Sequence, residues 1–348
     1  MIEESLTDVF SSILFKRHLT EPLYYSQDWL DLITKLYGYP LFSLTVTNSA
    51  GRITGFLPLC YIRSSLTGPH LVALPFSDHC SLLAEDDDSA NNLLDQAVRL
   101  AQQKCVRYLE LRTGANDVLK KRTDFAENNL YTCWTTPLDS DPGIIWSRLS
   151  KPVRNKIRKS HRLGVRIRFA QRREEMLEYY RLHLRTRTKK HGMPTQPQQY
   201  FLDLWDTFAA SGNLQLLLAD HEGITIAGSV LITSGTTARF LYGASDERYL
   251  ELAPNNLLTW QAITWCCSNG LQTLVHGRTA RVNKGLMQFN RNWAAIEKPL
   301  PYFYYPRVAG LASTSEDSLK YHLLTSCWKR LPLQVAGPLG GYFYKHLG

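Results

Sequence analysis

Hydrophobic positions along the chain follow two periods, and their alternation outlines an α/β protein. Spacing of three and four residues predicts a helix over 28–37, with Trp29, Leu32, Ile33 and Leu36 on one face. Alternating runs over 41–47 and 53–62, separated by Asn48-Ser49-Ala50-Gly51, predict a hairpin. A strand over 8–16, a helix over 89–104, and strands over 106–111 and 130–136 complete the first half. The turn formers PLDSDP at 137–142 mark a boundary. Beyond it the pattern predicts helical sequence over 144–163, a strand over 165–170, helices over 174–190 and 197–210, and a hairpin of 214–219 with 224–233. A strand over 238–242 leads through a long turn into a helix that opens at Ala253-Pro254-Asn255-Asn256. Pro at a first helical position presets φ and gives up an N–H that would lack a partner anyway. A strand over 273–276, a helix over 284–293 and a strand over 300–305 follow.

The two halves repeat one another. LFSLTVTNSAGRITGFLPL resembles LQLLLADHEGITIAGSVLI, and SANNLLDQAVRLAQQKCVRYLELRT resembles APNNLLTWQAITWCCSNGLQTLVHGRT, in the same order. Asn91-Asn92-Leu93-Leu94 answers Asn255-Asn256-Leu257-Leu258, and Arg112-Thr113 answers Arg278-Thr279. The repeat predicts two copies of one α/β domain, 1–137 and 143–306, each a mixed sheet flanked by helices, with a tail over 307–348.

Charge adds one asymmetry. The chain carries a formal +9, yet residues 148–190 hold sixteen Lys and Arg against three Glu, a local +13 that leaves −4 elsewhere. Such a segment suits a polyanionic partner (RNA, an anionic lipid head group or a diphosphate-bearing substrate), or else a solvated helix face. Seven scattered cysteines without CxxC or Cys/His ligand spacing read as reduced thiols and give no metal site. The first residues lack the pattern of a secretory signal, and no apolar run of about 18 residues is present, so a cytoplasmic protein is expected.

Several words in the chain resemble a known family. They are Leu74-Pro75-Phe76-Ser77-Asp78, Thr188-Lys189-Lys190-His191-Gly192-Met193-Pro194, Tyr242-Gly243-Ala244, Pro254-Asn255-Asn256-Leu257-Leu258 with Trp260, and Gly277-Arg278 followed by Gly285-Leu286, Phe289 and Trp293. Their order is similar to the GNAT acyltransferase fold in tandem, as in the Fem family of peptidoglycan bridge-forming aminoacyltransferases. The tail, with Trp328-Lys329-Arg330-Leu331-Pro332-Leu333, resembles exopolysaccharide-associated FemAB proteins. The resemblance implies acyl or aminoacyl transfer to an amine of a saccharide, peptidoglycan or lipid-linked precursor. It also implies no bound cofactor, a cosubstrate donor (aminoacyl-tRNA or an acyl thioester), a diphosphate-linked sugar acceptor, contact with tRNA, and no DNA. Two departures stand out. No Gly-rich pyrophosphate loop lies between Tyr242 and Asn255, and Asn290-Arg291 follows Phe289 where Fem relatives often carry Lys.

Acyl transfer needs a positioned amine and donors for the oxyanion. No Ser/His/Asp or Cys/His set is visible, which suits direct attack. The donors are expected as backbone N–H groups opened between Ala227-Gly228-Ser229 and the strand through Tyr242, with Gly228 either at a bulge or as a packing glycine. Asp78 and His79 would deprotonate or orient the amine, or else form a polar turn. Arg278 would hold a carboxylate or phosphate, or a structural partner. Tyr242 would bond the acceptor or pack in the core. Arg154, Lys156, Arg158 and Lys159 would attract an anion; Lys190, Asn255, Asn256, Trp260, Phe289 and Arg291 are further candidate substrate contacts. Alternatives are acetyl-CoA-dependent N-acetylation, and a non-catalytic binder of RNA or an anionic surface through 148–190. The tail mixes aromatics with Lys, as a peripheral membrane contact would, but Pro332 and Pro338 are expected to break any long amphipathic helix.

Overall fold

The computed structural model describes residues 22–307 and 319–346. The strand expected over 8–16 lies outside these residues. The described chain divides into two units. One runs up to Thr132 and takes in the strand at 302–305; the other runs from Cys133 to Lys298 and takes in the two C-terminal helices up to Tyr344.

In the first unit, α1 (Gln27–Tyr37) starts where the Ser26 hydroxyl accepts from Trp29 N–H and stops at left-handed Gly38. It buries Trp29, Leu30, Leu32 and Ile33. β1 (Leu41–Thr47) and β2 (Ile53–Ile62) form the expected hairpin, with Leu41 opposite Cys60. β3 (His70–Val72), β4 (Leu83–Ala84), α2 (Asp87–Gln103), β5 (Tyr108–Leu111), α3 (Asp117–Lys121) and β6 (Ala126–Asn128) follow. The sheet order is β1-β2-β3-β5-β14-β6, with β4 beside β2.

The next strand, β7 (Tyr131–Pro137), belongs to the other sheet. There β8 (Arg166–Phe169), β9 (Leu214–His221), β10 (Ile224–Ser234), β11 (Thr237–Ser245), β12 (Thr273–Ala280) and β13 (Ile296–Pro299) complete the order β13-β7-β12-β11-β10-β9-β8. In return, β14 (Tyr302–Tyr305) pairs with β5 and β6 of the first sheet. The strands expected over 130–136 and 300–305 thus each join the sheet of the other half, and PLDSDP sits within the second unit, where Asp141 caps a helix. Periodicity identifies a strand, but not which edge its hydrogen bonds complete.

The helical run over 144–163 is two helices, α4 (Pro142–Arg148) and α5 (Lys151–Arg162). Leu149 and Ser150 are extended between them, and Pro152 in the first turn of α5 has no N–H to continue the ladder. α6 (Glu175–Arg185) runs on into a π-helical turn, Thr186–His191, closed by left-handed Gly192. α7 (Gln198–Phe208), α8 (Pro254–Ser268) and α9 (Lys284–Asn292) complete the layers. α5 and α8 cover one face through Val153, Ile157, Leu257, Leu258 and Ile263. α6 packs on β10 and β11 from the other face, with Tyr179 against Phe201 of α7.

The tail forms α10 (Leu319–Arg330) and α11 (Leu333–Tyr344). Pro332 separates them, but Pro338 lies inside α11 and does not break it. Its side chain is exposed, so the carbonyl left without a donor can turn to water. The pair docks against α6 and the π turn: Lys189 Nζ donates to the Lys329 and Leu331 carbonyls at 3.1 and 2.7 Å. A Cβ on Gly192 would collide with the Thr325 carbonyl. Gly192→Ala, which adds this clash to left-handed strain, is expected to cost about 1–3 kcal/mol. Urea unfolding checks this, and limited proteolysis should show earlier release of the tail. An unchanged midpoint would contradict the docking.

Candidate active site

The second sheet opens at one place. β11 and β12 are parallel and pair only through Thr237–Arg239 with Thr273–Val275. Past that point β11 stays on β10 as far as Ala227 opposite Ser245, while β12 runs on beside β7, where Thr136 Oγ1 and His276 Nε2 are 2.8 Å apart. The two strands part, and a cavity of about 590 Å³ fills the interval. It is lined by β11 from Phe240 to Ser245, by Ser229 and His276, and by Thr186, Lys190 and His191 of the π turn. Asn255 and Thr259 of α8 join it, as do Asn283, Gly285, Leu286, Phe289 and Asn290 of α9 and its N-cap. Asn283, Leu286 and Asn290 share one helix face by their spacing.

A bulge shapes the floor. Val230 faces Tyr242 but Leu231 faces Phe240, so Leu241 is an extra residue. One added residue flips the alternation that follows. Ala238 and Phe240 therefore join the core under α8, whereas Tyr242 turns to α6 and α7. Its ring lies 5.4 Å from Phe201 and 5.6 Å from His183, and its hydroxyl is 2.9 Å from that of Tyr200. Burial, then the neighbouring Tyr200, hold the Tyr242 phenol well above its ordinary range, so it stays protonated.

Among the described residues, no carboxylate lines the cavity. Burial lowers His276 to about 4, and burial with Arg187, Lys190 and Lys329 lowers His191 to about 4. Both imidazoles are neutral near pH 7, leaving Lys190 as the cation among the lining residues. Behind the floor, His183 is held to about 3 by burial and has Nε2 3.0 Å from Gln196 Oε1. The hydroxyls of Thr186, Ser245 and Thr259 engage Ser245 backbone, Asn255 Nδ2 and Asn255 carbonyl. None is hydrogen-bonded to a histidine. Where β11 leaves for α8, Asp246 accepts from Arg248 N–H at 3.0 Å and pairs with Arg248 and Arg185 at 2.6 and 3.6 Å. The Arg248 hydrogen bond is the main cause that holds its carboxyl below the usual range. Among the described residues no group of His, Cys, Asp and Glu is arranged to hold a metal ion.

Of the residues singled out from sequence, Tyr242, Lys190, Asn255 and Phe289 line this cavity. Gly228 does not. It lies in unbroken pairing opposite Ala244, and a Cβ there would stand 2.8 Å from Tyr179 Cδ2 and 2.9 Å from Leu218 Cδ2, so it is a packing glycine. The expected opening between 227–229 and β11 is absent, because β11 opens on its other edge. Arg278 is exposed on β12 and does not line the cavity. Asn256 is buried in the first turn of α8, and Trp260 packs edge-on against Trp146 at 4.8 Å. Arg291 turns to Glu297 at 3.5 Å and lies over Trp134, so it does not replace the frequent lysine. Asn290, at that lysine's position, does line the cavity and donates to Thr279 Oγ1 at 3.2 Å.

Part of the basic segment is engaged within the second unit. Arg168 meets Glu175, Glu178 and Asp220; Arg173 meets Asp206; Arg187 donates to the Pro194 carbonyl. Arg154, Lys156, Arg158 and Lys159 lie on the outer side of α5, with Arg158 over Trp146 and Lys159 at 3.8 Å from Glu251. None of the four lines the cavity.

Asp78 and His79 belong to the first unit. His79 Nε2 is 2.8 Å from the Thr113 carbonyl, and the Asp78 carbonyl accepts from Tyr302 at 2.7 Å. There the parallel pair β3 and β5 corresponds to β11 and β12, but the interval beyond it is filled. Arg112, buried, donates to Glu110 at 2.6 Å and to the Ser77 carbonyl at 3.0 Å. Thr186, Ser229, Ser245, His276 and Asn283 escaped the sequence reading.

Residues 147–284 match the family model of the GNAT acetyltransferase domain. A lipid II:glycine glycyltransferase of Staphylococcus haemolyticus is 31% identical over 84 residues; this stretch is 22% of the present chain and 20% of that protein. The match therefore spans about a fifth of that relative. The crystal structure of FemX superposes with a TM-score of 0.61 at 16% identity, over 80% of this chain and 90% of that one. A tandem GNAT protein from the clavulanic acid pathway gives 0.52 at 14%, over 76% and 82%. At these identities the two structures establish the fold.

The neutral histidines predict a pH dependence. His276 and His183 have folded values below the ordinary 6.5, so the unfolded chain takes up their protons first. Their contribution to stability is complete above about pH 6.5 and is lost as pH falls from there toward 4 for His276 and 3 for His183. Melting temperature against pH should show a shallower acid limb for His276→Asn than for the parent. Parallel limbs would mean that His276 is not held neutral.

Proposed function

For a Fem-like member of the GNAT superfamily, we propose N-acyl transfer: an acyl or aminoacyl group passes to an amine of a saccharide- or lipid-linked precursor in the cavity of the second unit. The observation that carries this reading is the parting of β11 and β12 over that cavity, within and beside the segment that matches the GNAT domain.

The amine must arrive neutral. A lining without carboxylates, with both imidazoles uncharged and Lys190 nearby, disfavours the ammonium form. The amine nitrogen attacks the acyl carbon, and a C–N bond forms as the carbonyl oxygen takes up negative charge. The edge of β11 past Arg239, which has no strand pairing on the β12 side, offers backbone N–H groups to that oxygen. The carbon–oxygen or carbon–sulfur bond to the donor then breaks, and the amine proton leaves with the departing group or to water. The Thr186, Ser245 and Thr259 hydroxyls bond backbone groups and Asn255 rather than a histidine base, which favours this direct route over a covalent enzyme intermediate.

The joint between β11 and α8 bears on the donor. In place of a Gly-rich turn it holds Asp246, whose carboxylate takes the Arg248 N–H and pairs with Arg248 and Arg185, so the joint is not the open backbone cradle that a diphosphate needs. An acyl group carried on aminoacyl-tRNA, or on a thioester that places no diphosphate there, suits the site better than acetyl-CoA. Lys190 suits an anionic acceptor such as a diphosphate-linked sugar. The glycyltransferase relative, named for lipid II, is consistent with that class. Among the described residues no helix is long and apolar enough to cross a membrane.

Mass spectrometry of purified protein with amino-sugar precursors and each donor should show one added acyl group, and calorimetry with acetyl-CoA should show no binding heat. Acetylation of the precursor with measurable heat would move the donor to acetyl-CoA, and no transfer from any donor would remove the reading. Lys190→Ala should raise KM for a diphosphate-bearing acceptor ~10-fold, with kcat nearly unchanged, as for loss of one charge-assisted contact. The same rise with an uncharged acceptor would show that Lys190 does not hold the anion.

A further inference from the structure

We propose that α11 is a membrane-contact helix that lies on an anionic lipid surface. Its amphipathicity is reversed relative to a helix of a soluble domain. The buried residues are small: Ala336, Gly337 and Gly340. Gly340 sits against Thr195, where a Cβ would stand 2.9 Å from the backbone nitrogen, and Gly337 lies against Tyr180 and Leu184. Three bulky residues point outward. Val335, Leu339 and Tyr342, at the i, i+4, i+7 spacing of one face, are 44%, 39% and 55% exposed, with Pro338 beside them. A helix that packs through glycine on one side, with Phe343 against Trp328, and exposes Val335 and Leu339 on another presents an apolar stripe to its surroundings.

Charge decides what meets it. Between 319 and 346 the chain has no Asp or Glu. Lys329 and Arg330 are exposed before the helix and Lys345 is exposed after it, so cations flank the stripe at both ends. An apolar stripe with cations at its ends and no acid matches a bilayer interface with anionic head groups, where aliphatic side chains and Tyr enter the acyl boundary. A nucleic acid would use the cations but not Val335 and Leu339. The 12 residues of α11 are too few to span the hydrocarbon, which takes about 20 residues, so the helix lies in the plane of the surface. The inference stands apart from acyl transfer, since binding to lipid is read without turnover.

Vesicle cosedimentation of the full chain tests it, with phosphatidylcholine alone and with phosphatidylglycerol added. The parent is expected to bind the anionic vesicles and to release with salt. Val335→Ser combined with Leu339→Ser should weaken partition roughly tenfold by removing apolar area. Lys329→Glu combined with Arg330→Glu should weaken it at least about fivefold per cation. Both double variants should keep the parent melting temperature, because every altered side chain is exposed. Absence of vesicle binding, or equal binding by parent and variants, would overturn the proposal. So would a parent dimer in sedimentation equilibrium that the Val335/Leu339 variant abolishes, which would give the stripe to a second copy. Retention on RNA but not on vesicles would likewise overturn it.

Discussion

The candidate site depends on how β11 and β12 are each held on their outer edge. Antiparallel pairing with β10 runs the length of β11, and its single bulge at Leu241 adds twist without releasing the strand. β12 follows β7, with the Thr136–His276 contact on that side. With both outer edges satisfied, three paired residues are enough to join the strands at their base, and the remainder diverges. Backbone polar groups freed by that divergence must find water or a ligand. A binding cleft therefore follows from the pairing pattern before any side chain is considered.

Side chains then set the character of the cleft. The chain is basic, yet its cavity is close to neutral. His276 and His191 are held uncharged by burial, and Arg168, Arg173 and Arg187 of the basic segment are engaged with carboxylates and a carbonyl of the second unit. Lys190 reaches the cavity because α6 ends in a π turn, a departure from regular helix that often accompanies functional positions. The turn is in turn fixed by Lys189 on the tail carbonyls and by Gly192 under Thr325. The tail thus holds the one element that delivers a cation to the site.

Duplication gives the two units the same joint with opposite outcomes. Glu110 and Arg112 in the first copy stand where His276 and Arg278 stand in the second. A carboxylate two residues before an arginine closes an ion pair, and the arginine folds inward onto the Leu74 and Ser77 carbonyls. In the second copy the first position is a histidine rather than a carboxylate, and Arg278 is exposed while the interval is open.

Much was legible in the chain itself. Hydrophobic period, turn residues and Pro254 at a helix start are local causes, and they gave the hairpins, the helices and the tandem mixed-sheet class, because local pattern and local geometry are coupled. The Tyr242 and Pro254 words led to the right joint for the same reason. The sequence could not assign β7 and β14 to their sheets, decide which edge of β11 opens, or separate Arg278 from His276 as the residue at the cavity. Those outcomes turn on hydrogen bonds between segments far apart in sequence, and a strand carries the same alternation whichever neighbour completes it. Charge count could not show which cations of the basic segment are paired either, since Asp206 and Asp220, the partners of Arg173 and Arg168, come from later elements that only the folded chain brings near.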